Sequence, residues 1–195
     1  MKYPNKTTAE QLLGEAESLN NGIWVTHNRM AALAAEKIAS NCDGLNEEKA
    51  FSLGMLHDIG RREGIFDLKH TILGYRFMLG LGYIESARIC LTHSFPYKDI
   101  HSYNGYDDCT EQDSYFIQEF IDAQEYDEYD KLIQLSDAIA YPTGIFMLEK
   151  RFVDVVMRKG FDDYTIKKWK ALLSIKEEFD IKAGCNIYSL FYKFI

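Results

Sequence analysis

Residues 46–60 read NEEKAFSLGMLHDIG, and this stretch predicts a complete helix that ends in a pair of metal-binding side chains. Asn46 is a favourable N-cap, the two glutamates that follow complement the positive end of the helix dipole, and Gly60 supplies a stop. His57 and Asp58 then lie in the last turn, about 100° apart around the axis, where both can reach one cation. An isolated pair is more often a capping histidine beside a solvated aspartate, so a metal site requires partners elsewhere.

Length and composition predict a single domain that spans residues 1–195. Hydrophobic residues make up 47% of the chain and charged residues 27%, both close to globular averages. Only three prolines and 13 glycines argue against long disordered stretches. A chain of this size can bury a core large enough to fold without outside support.

The N-terminus, the apolar runs and the cysteines together predict a cytoplasmic protein. The N-terminus lacks a signal-peptide pattern, and no run of about 18 apolar residues suggests a membrane span. The four cysteines are scattered without a Cys-x-x-Cys pair, which favours reduced thiols over disulfides. A net charge of −8 makes duplex nucleic acid an improbable partner. A small phosphorylated substrate remains compatible with that charge, because a bound dication and local basic side chains dominate the field that it meets.

The spacing of apolar residues predicts an all-α fold. Apolar positions recur mostly at intervals of three and four, without sustained two-residue alternation. The polar, tyrosine-rich stretch from Ser94 to Asp113 is expected to be largely irregular, and loops of that length in compact domains are usually functional or mobile. Helices are expected at about 7–19, from Trp24 or Thr26 to the turn at 41–44, at 46–60, 68–79, 83–93, 111–123, 129–141 and 165–183, and from Asn186 onward.

Four further side chains and the opening pair form an ordered set of candidate metal ligands. A single histidine near a helix end is more often a satisfied core residue, so the joint pattern carries the prediction. An aspartate at position 137, between apolar neighbours, is costly to bury unless it is paired or bound to a cation. The full series is His27, His57, Asp58, His70, His93 and Asp137.

This series resembles the HD-domain superfamily of metal-dependent phosphohydrolases. The tetrapeptide His57-Asp58-Ile59-Gly60 matches the family's HDIG form letter for letter. The resemblance covers about residues 24–141, and it implies a helical bundle that helices within residues 142–195 complete. By position it implies that a first metal ion is held by His27, His57, Asp58 and Asp137, and that His70 and His93 are the extra pair of the dinuclear branch, with Asp58 as the bridge.

A mixed nitrogen and oxygen ligand set suits one or two divalent ions. Manganese, iron, cobalt, nickel, zinc and magnesium all remain open on these residue types. The resemblance implies that a metal-activated water attacks the phosphate, with Asp58 as a catalytic residue. Arg61 follows the HDIG tetrapeptide and is expected to act in catalysis and to bind the substrate phosphate. Tyr97 and Lys98, in the loop after His93, are further candidate substrate contacts, although an exposed charge is the alternative for Lys98.

The leading functional hypothesis is an enzyme that hydrolyses a nucleotide or another small phosphoester. The histidine spacings especially resemble small bacterial HD proteins that cleave dinucleoside tetraphosphates symmetrically. Two alternatives remain open, a di-iron oxygenase built on the same ligand arrangement and a non-catalytic, metal-containing module that binds a ligand. The expected partner is a small phosphorylated substrate, with neither duplex nucleic acid nor membrane, and a homodimer is compatible with the sequence.

Overall fold

The computed structural model describes residues 2–191, which are mostly helical. This confirms the predicted all-α class. A two-residue hairpin, β1 (Ala140–Tyr141) and β2 (Gly144–Ile145), pairs antiparallel after the seventh helix. The α-helices of the described residues are α1 (Lys6–Leu19), α2 (Ile23–Ala39), α3 (Glu47–Leu56), α4 (Lys69–Gly80), α5 (Ile84–Thr92), α6 (Glu111–Ala123), α7 (Glu128–Ile139), α8 (Leu148–Lys159) and α9 (Thr165–Ala183).

The end of α3 differs from the sequence prediction. Asn46 caps the helix as expected, because its side chain accepts a hydrogen bond from the Lys49 amide at 2.8 Å. The α-helix nevertheless ends at Leu56, and the chain continues as a 3-10 helix over Ile59–Glu63. Gly64, with a φ of 146°, ends this segment, so the prediction that Gly60 is the stop was wrong.

Close backbone packing accounts for the glycines of this region. A Cβ atom on Gly54 would lie 2.9 Å from the Ala32 Cα, so α3 sits directly against the alanine-rich face of α2. A Cβ on Gly60 would overlap the carbonyl oxygen of His70 and lie 2.5 Å from the Gly74 nitrogen. The 3-10 segment therefore rests on the backbone of α4. These two approaches position the end of α3 between α2 and α4.

The apolar interior surrounds α2, which packs against α3 and α7. The largest buried cluster joins α2, α7 and α9 through residues such as Ile38, Leu135 and Phe179. A second cluster connects α1 to α3, and a third links α4 and α5 to α6. Burial of these side chains is the main favourable contribution to folding.

The other predicted helices match the structure within a few residues. Three elements were not predicted individually: the hairpin, α8 and a short 3-10 helix over Ile100–Ser102. The helix expected from Asn186 is a 3-10 helix over Ile187–Phe191, and its predicted continuation lies outside the described residues. None of the helices within residues 2–191 has the length and apolar character required to cross a membrane.

Replacing Gly60 with alanine tests the contact between the 3-10 segment and α4. We expect Gly60→Ala to lower the free energy of unfolding by about 2–3 kcal/mol, because backbone atoms must move apart to admit the methyl group. Gly14 is the matched control, since a Cβ there meets nothing within 4 Å. Gly14→Ala should stabilise α1 by about 1 kcal/mol. Chemical denaturation measures both changes, and equal effects of the two substitutions would contradict the close approach.

Candidate metal centre

The structure brings the six predicted ligand residues together on one side of a cavity. His27 lies on α2 and Asp137 on α7, while His57 and His93 are the C-caps of α3 and α5. Asp58 follows His57, and His70 lies in the first turn of α4. His57, Asp58, His70 and His93 are buried, and His27 and Asp137 are partly exposed to the cavity.

Two carboxylate oxygens organise the contacts. The Asp58 Oδ1 atom lies 2.8 Å from the His70 Nε2 atom and 3.3 Å from the His93 Nε2 atom. The Asp137 Oδ1 atom lies 2.9 Å from the His27 Nε2 atom and 3.7 Å from the His57 Nε2 atom. Four imidazole rings from four helices thus point the same nitrogen at two carboxylates.

Backbone carbonyls fix the orientation of three rings. The Nδ1 atom of His57 lies 2.7 Å from the Gly54 carbonyl oxygen, and that of His93 lies 3.0 Å from the Ile89 carbonyl oxygen. The Nδ1 atom of His70 makes the same contact with the Asp67 carbonyl. A carbonyl oxygen only accepts hydrogen bonds, so Nδ1 carries the proton in each ring. In the neutral rings, the Nε2 lone pairs therefore face the carboxylates.

Burial keeps two of these rings neutral. It lowers the pKa of His57 to about 4, and the carboxylates nearby only partly oppose it. Burial also lowers the pKa of His70, and the positive charge of Arg61 acts in the same direction. Both rings are consequently unprotonated on Nε2 at neutral pH.

With these protonation states, imidazole nitrogens and carboxylate oxygens that can only accept hydrogen bonds face each other. A bound cation would stabilise this arrangement. The His70 Nε2 atom meets a carboxylate oxygen with no proton to share. The buried His57 Nε2 atom has no hydrogen-bond partner among the described residues. Leaving such buried groups unmatched costs about 1–3 kcal/mol each. Three overlapping groups of these residues could hold a metal ion: His27, His57 and Asp58; His57, His93 and Asp137; and Asp58, His70 and His93.

Both carboxylates are ionised despite their burial. Burial by itself would raise the pKa of Asp58, but the positive charge of Arg61 leads the contributions that hold it well below its usual range. Burial acts in the same direction on Asp137, and the hydrogen bond with His27 leads the contributions that lower its pKa. The site therefore combines negative oxygens with neutral imidazoles, a donor set that binds first-row divalent ions.

Arg61 contacts the Asp58 carboxylate oxygen that does not face His70 and His93. Its Nε atom donates to the Asp58 Oδ2 atom at 2.6 Å, and its Nη1 atom donates to the Phe66 carbonyl at 2.8 Å. The side chain also lines the cavity. It therefore orients the carboxylate as well as facing the space where a substrate would bind.

The cavity has a volume of about 680 Å³, within the range of small-molecule sites. The walls of the cavity include residues of α2, near the start of the chain, and residues of α8 and α9, near its end. The two later helices face the histidine cluster. Gln134, one turn before Asp137, also lines it, and its Nε2 atom donates to the Thr92 carbonyl at 3.0 Å. That bond ties α7 to the end of α5, where His93 lies.

The two predicted substrate contacts in the loop after His93 do not line the cavity. Tyr97 and Lys98 are not among the cavity residues, and the Lys98 amine donates instead to the Gln124 carbonyl. His101 is exposed and packs against Tyr164. The same loop does reach the cavity through Tyr103, whose ring lies 6.2 Å from that of His70.

The sequence analysis missed the cations that α8 and α9 contribute to the cavity. Lys168 is the clearest case, because its amine donates to the carbonyls of Ser94 and Ser102 at 3.1 Å. It lies 31 positions beyond Asp137 in an amphipathic helix that carries several lysines. Only long-range packing distinguishes it, so no local sequence signal could have identified it.

Comparison of the chain with protein-family models, curated proteins and solved structures gave no match.

Removing one ligand should weaken metal binding. We expect Asp137→Asn to lower the affinity for Zn²⁺ or Mn²⁺ by at least about tenfold, the loss that follows even when a supporting group is removed. His101→Gln is the matched control, because His101 is exposed and lies outside the cavity. Competition with a chromophoric chelator, together with elemental analysis, measures the affinity and the metal content. Equal affinities in the two variants would place the ion elsewhere.

The neutral state of His57 predicts how the metal-free protein responds to acid. The unfolded chain takes up a proton at His57 near pH 6.5, whereas the folded ring does so only near pH 4. Between these values the unfolded state binds more protons, so stability falls as the pH falls. Going from pH 7 to pH 5 should cost about 2 kcal/mol through this group. Denaturation of EDTA-treated wild type and His57→Gln tests this, because the variant should lose less stability over the same interval. Identical losses would contradict it.

Proposed function

We propose that this chain is an HD-domain metal-dependent phosphohydrolase that acts on a nucleotide or another small phosphoester. The observation that carries the proposal is the convergence of the unprotonated Nε2 atoms of His57 and His70 on Asp137 and Asp58. Buried acceptors in this arrangement are best explained by bound cations. Their position on the wall of an open cavity supports a catalytic role over a purely structural one.

Two overlapping sets of residues would hold two ions. By resemblance to the family, His27, His57, Asp58 and Asp137 would form the first set, and Asp58, His70 and His93, which lie close enough together to hold an ion, would form the second. Asp58 belongs to both because its Oδ1 atom is close to both His70 and His93 while its backbone adjoins His57. Manganese, iron, cobalt, nickel and zinc suit these donors, and magnesium suits the oxygens.

When bound, the ions would supply a water molecule acidified toward neutral pH and positive charge against the phosphate oxygens. The protein's own groups would prepare the site for that chemistry. Arg61 holds Asp58 in place through its Nε atom, and its Nη2 atom would donate to a phosphate oxygen. Tyr103 and the helices across the cavity would restrict bulk water around the reacting group.

The cavity supports a small and anionic substrate. Its volume fits a metabolite better than a polymer. Five basic and four acidic side chains line it, whereas acidic residues outnumber basic ones by 30 to 22 in the whole chain, so the cavity is less negative than the protein as a whole. Aromatic residues are also present, among them Trp24 and Trp169, which would suit a nucleobase.

A phosphoester screen tests the proposal. Metal-free protein would be reloaded with each candidate ion and assayed for release of phosphate or nucleotide from phosphomonoesters, nucleotides and dinucleotides. We expect turnover with at least one transition metal, and we expect Asp58→Asn to lower kcat by at least about 100-fold. His101→Gln should retain wild-type rates. Stoichiometric metal binding without turnover on any member of the panel would contradict the proposed function.

A further inference from the structure

Four cations line the cavity on the wall that α8 and α9 build. They are Arg151, Arg158, Lys159 and Lys168. Arg158 is paired with Asp154, one helical turn away, at 2.8 Å. The other three make no ion pair within 4 Å among residues 2–191. Three cations on this wall of the cavity thus lack a carboxylate partner within ion-pair distance among the described residues.

Helix stability does not account for two of these cations. Arg158 and Lys159 lie in the last turn of α8, where the helix dipole favours positive charge. Arg151 and Lys168 instead lie four residues into α8 and α9, near the positive ends of these helices. A cation there is opposed by the dipole of its own helix. Their position adds to the positive potential of the wall.

The wall adjoins the metal centre at Asp137. Burial by itself would raise the pKa of Asp137, and Arg151 is among the groups that lower it. Burial lowers the pKa of Lys168 to about 8, while the charge of Asp137 acts in the opposite direction. Both cations are therefore within electrostatic range of a candidate metal ligand.

Lys168 is held in a fixed place within this wall. Its amine donates to the Ser94 and Ser102 carbonyls, both at 3.1 Å, and so joins α9 to the loop after His93. These bonds use two of its three N–H groups, which leaves one donor. A fixed ammonium loses little side-chain entropy when it binds an anion.

We propose that Arg151, Lys159 and Lys168 form an anion subsite that binds a second phosphate group of the substrate, while the first lies at the histidine cluster. The inference rests on the proposed function and narrows its substrate class to phosphoesters with at least two phosphate groups. Arginine and lysine are the side chains that bind phosphate oxygens most strongly, through charge-assisted hydrogen bonds. A monoester would leave this wall without a partner.

Calorimetric titration of the full-length protein tests the subsite, using inorganic tripolyphosphate and inorganic orthophosphate as probes. EDTA would first be used to remove metal and then be dialysed away, so that neither chelation nor turnover affects the result. We expect tripolyphosphate to bind wild type at least about tenfold more tightly than orthophosphate, the gain from one or two additional charged hydrogen bonds. Equal affinities for the two anions would overturn the subsite.

Variants identify the residues. Arg151→Gln and Lys159→Gln should each weaken tripolyphosphate binding by about tenfold and leave the thermal midpoint within a few degrees of wild type. Lys167→Gln is the matched control, because Lys167 neighbours Lys168 but lies outside the cavity. Unchanged affinity in Arg151→Gln, or an equal loss in Lys167→Gln, would overturn the proposal. If tripolyphosphate binds as predicted but the metal-loaded enzyme hydrolyses nothing, the proposed function fails and the subsite stands.

Discussion

Hydrogen bonds from imidazole Nδ1 atoms to backbone carbonyls determine the chemistry of the cavity. His57 and His70 each bond to the carbonyl three residues earlier, and His93 to the one four residues earlier. Carbonyls in the last turn of a helix lack intrahelical partners, so a histidine at that position satisfies one of them. The same bond turns Nε2 away from the backbone. Helix termination and ligand orientation are therefore one feature of the structure for His57, whereas the Ile89 carbonyl that orients His93 also accepts a hydrogen bond from the His93 backbone amide.

Close backbone packing then brings these helix ends together. Gly54 allows α3 to approach α2, and Gly60 allows the following segment to rest on α4. A larger residue at either position would force these backbones apart and displace the rings that they carry. The absence of a side chain at Gly54 and Gly60 is thus as important to the site as the ligand residues themselves.

The sequence predicts the ligand residues better than it predicts their surroundings. His57 and His93 could be placed at helix ends because N-cap and periodicity signals are local, and Asp137 stood out as a carboxylate between apolar neighbours. The real role of Gly60 is its close approach to α4. That approach involves residues 10 to 14 positions later in the chain, so local signals predicted only a helix stop. The contact between Asp58 and Arg61 follows from their i,i+3 spacing, but the position of Lys168 depends on tertiary packing, which no spacing rule contains. Proximity in sequence can also mislead: Lys98 lies only five positions after His93 but does not line the cavity.

Anomalous X-ray scattering from crystals loaded with Mn²⁺ or Zn²⁺ is the most direct test of the metal centre. The account predicts two peaks in the cavity, both beside Asp58, one within about 2.0–2.3 Å of ligand atoms of His27 and His57 and the other at the same range from His70 and His93. Peaks confined to surface carboxylates, with the Nε2 atoms of the cavity uncoordinated, would contradict it.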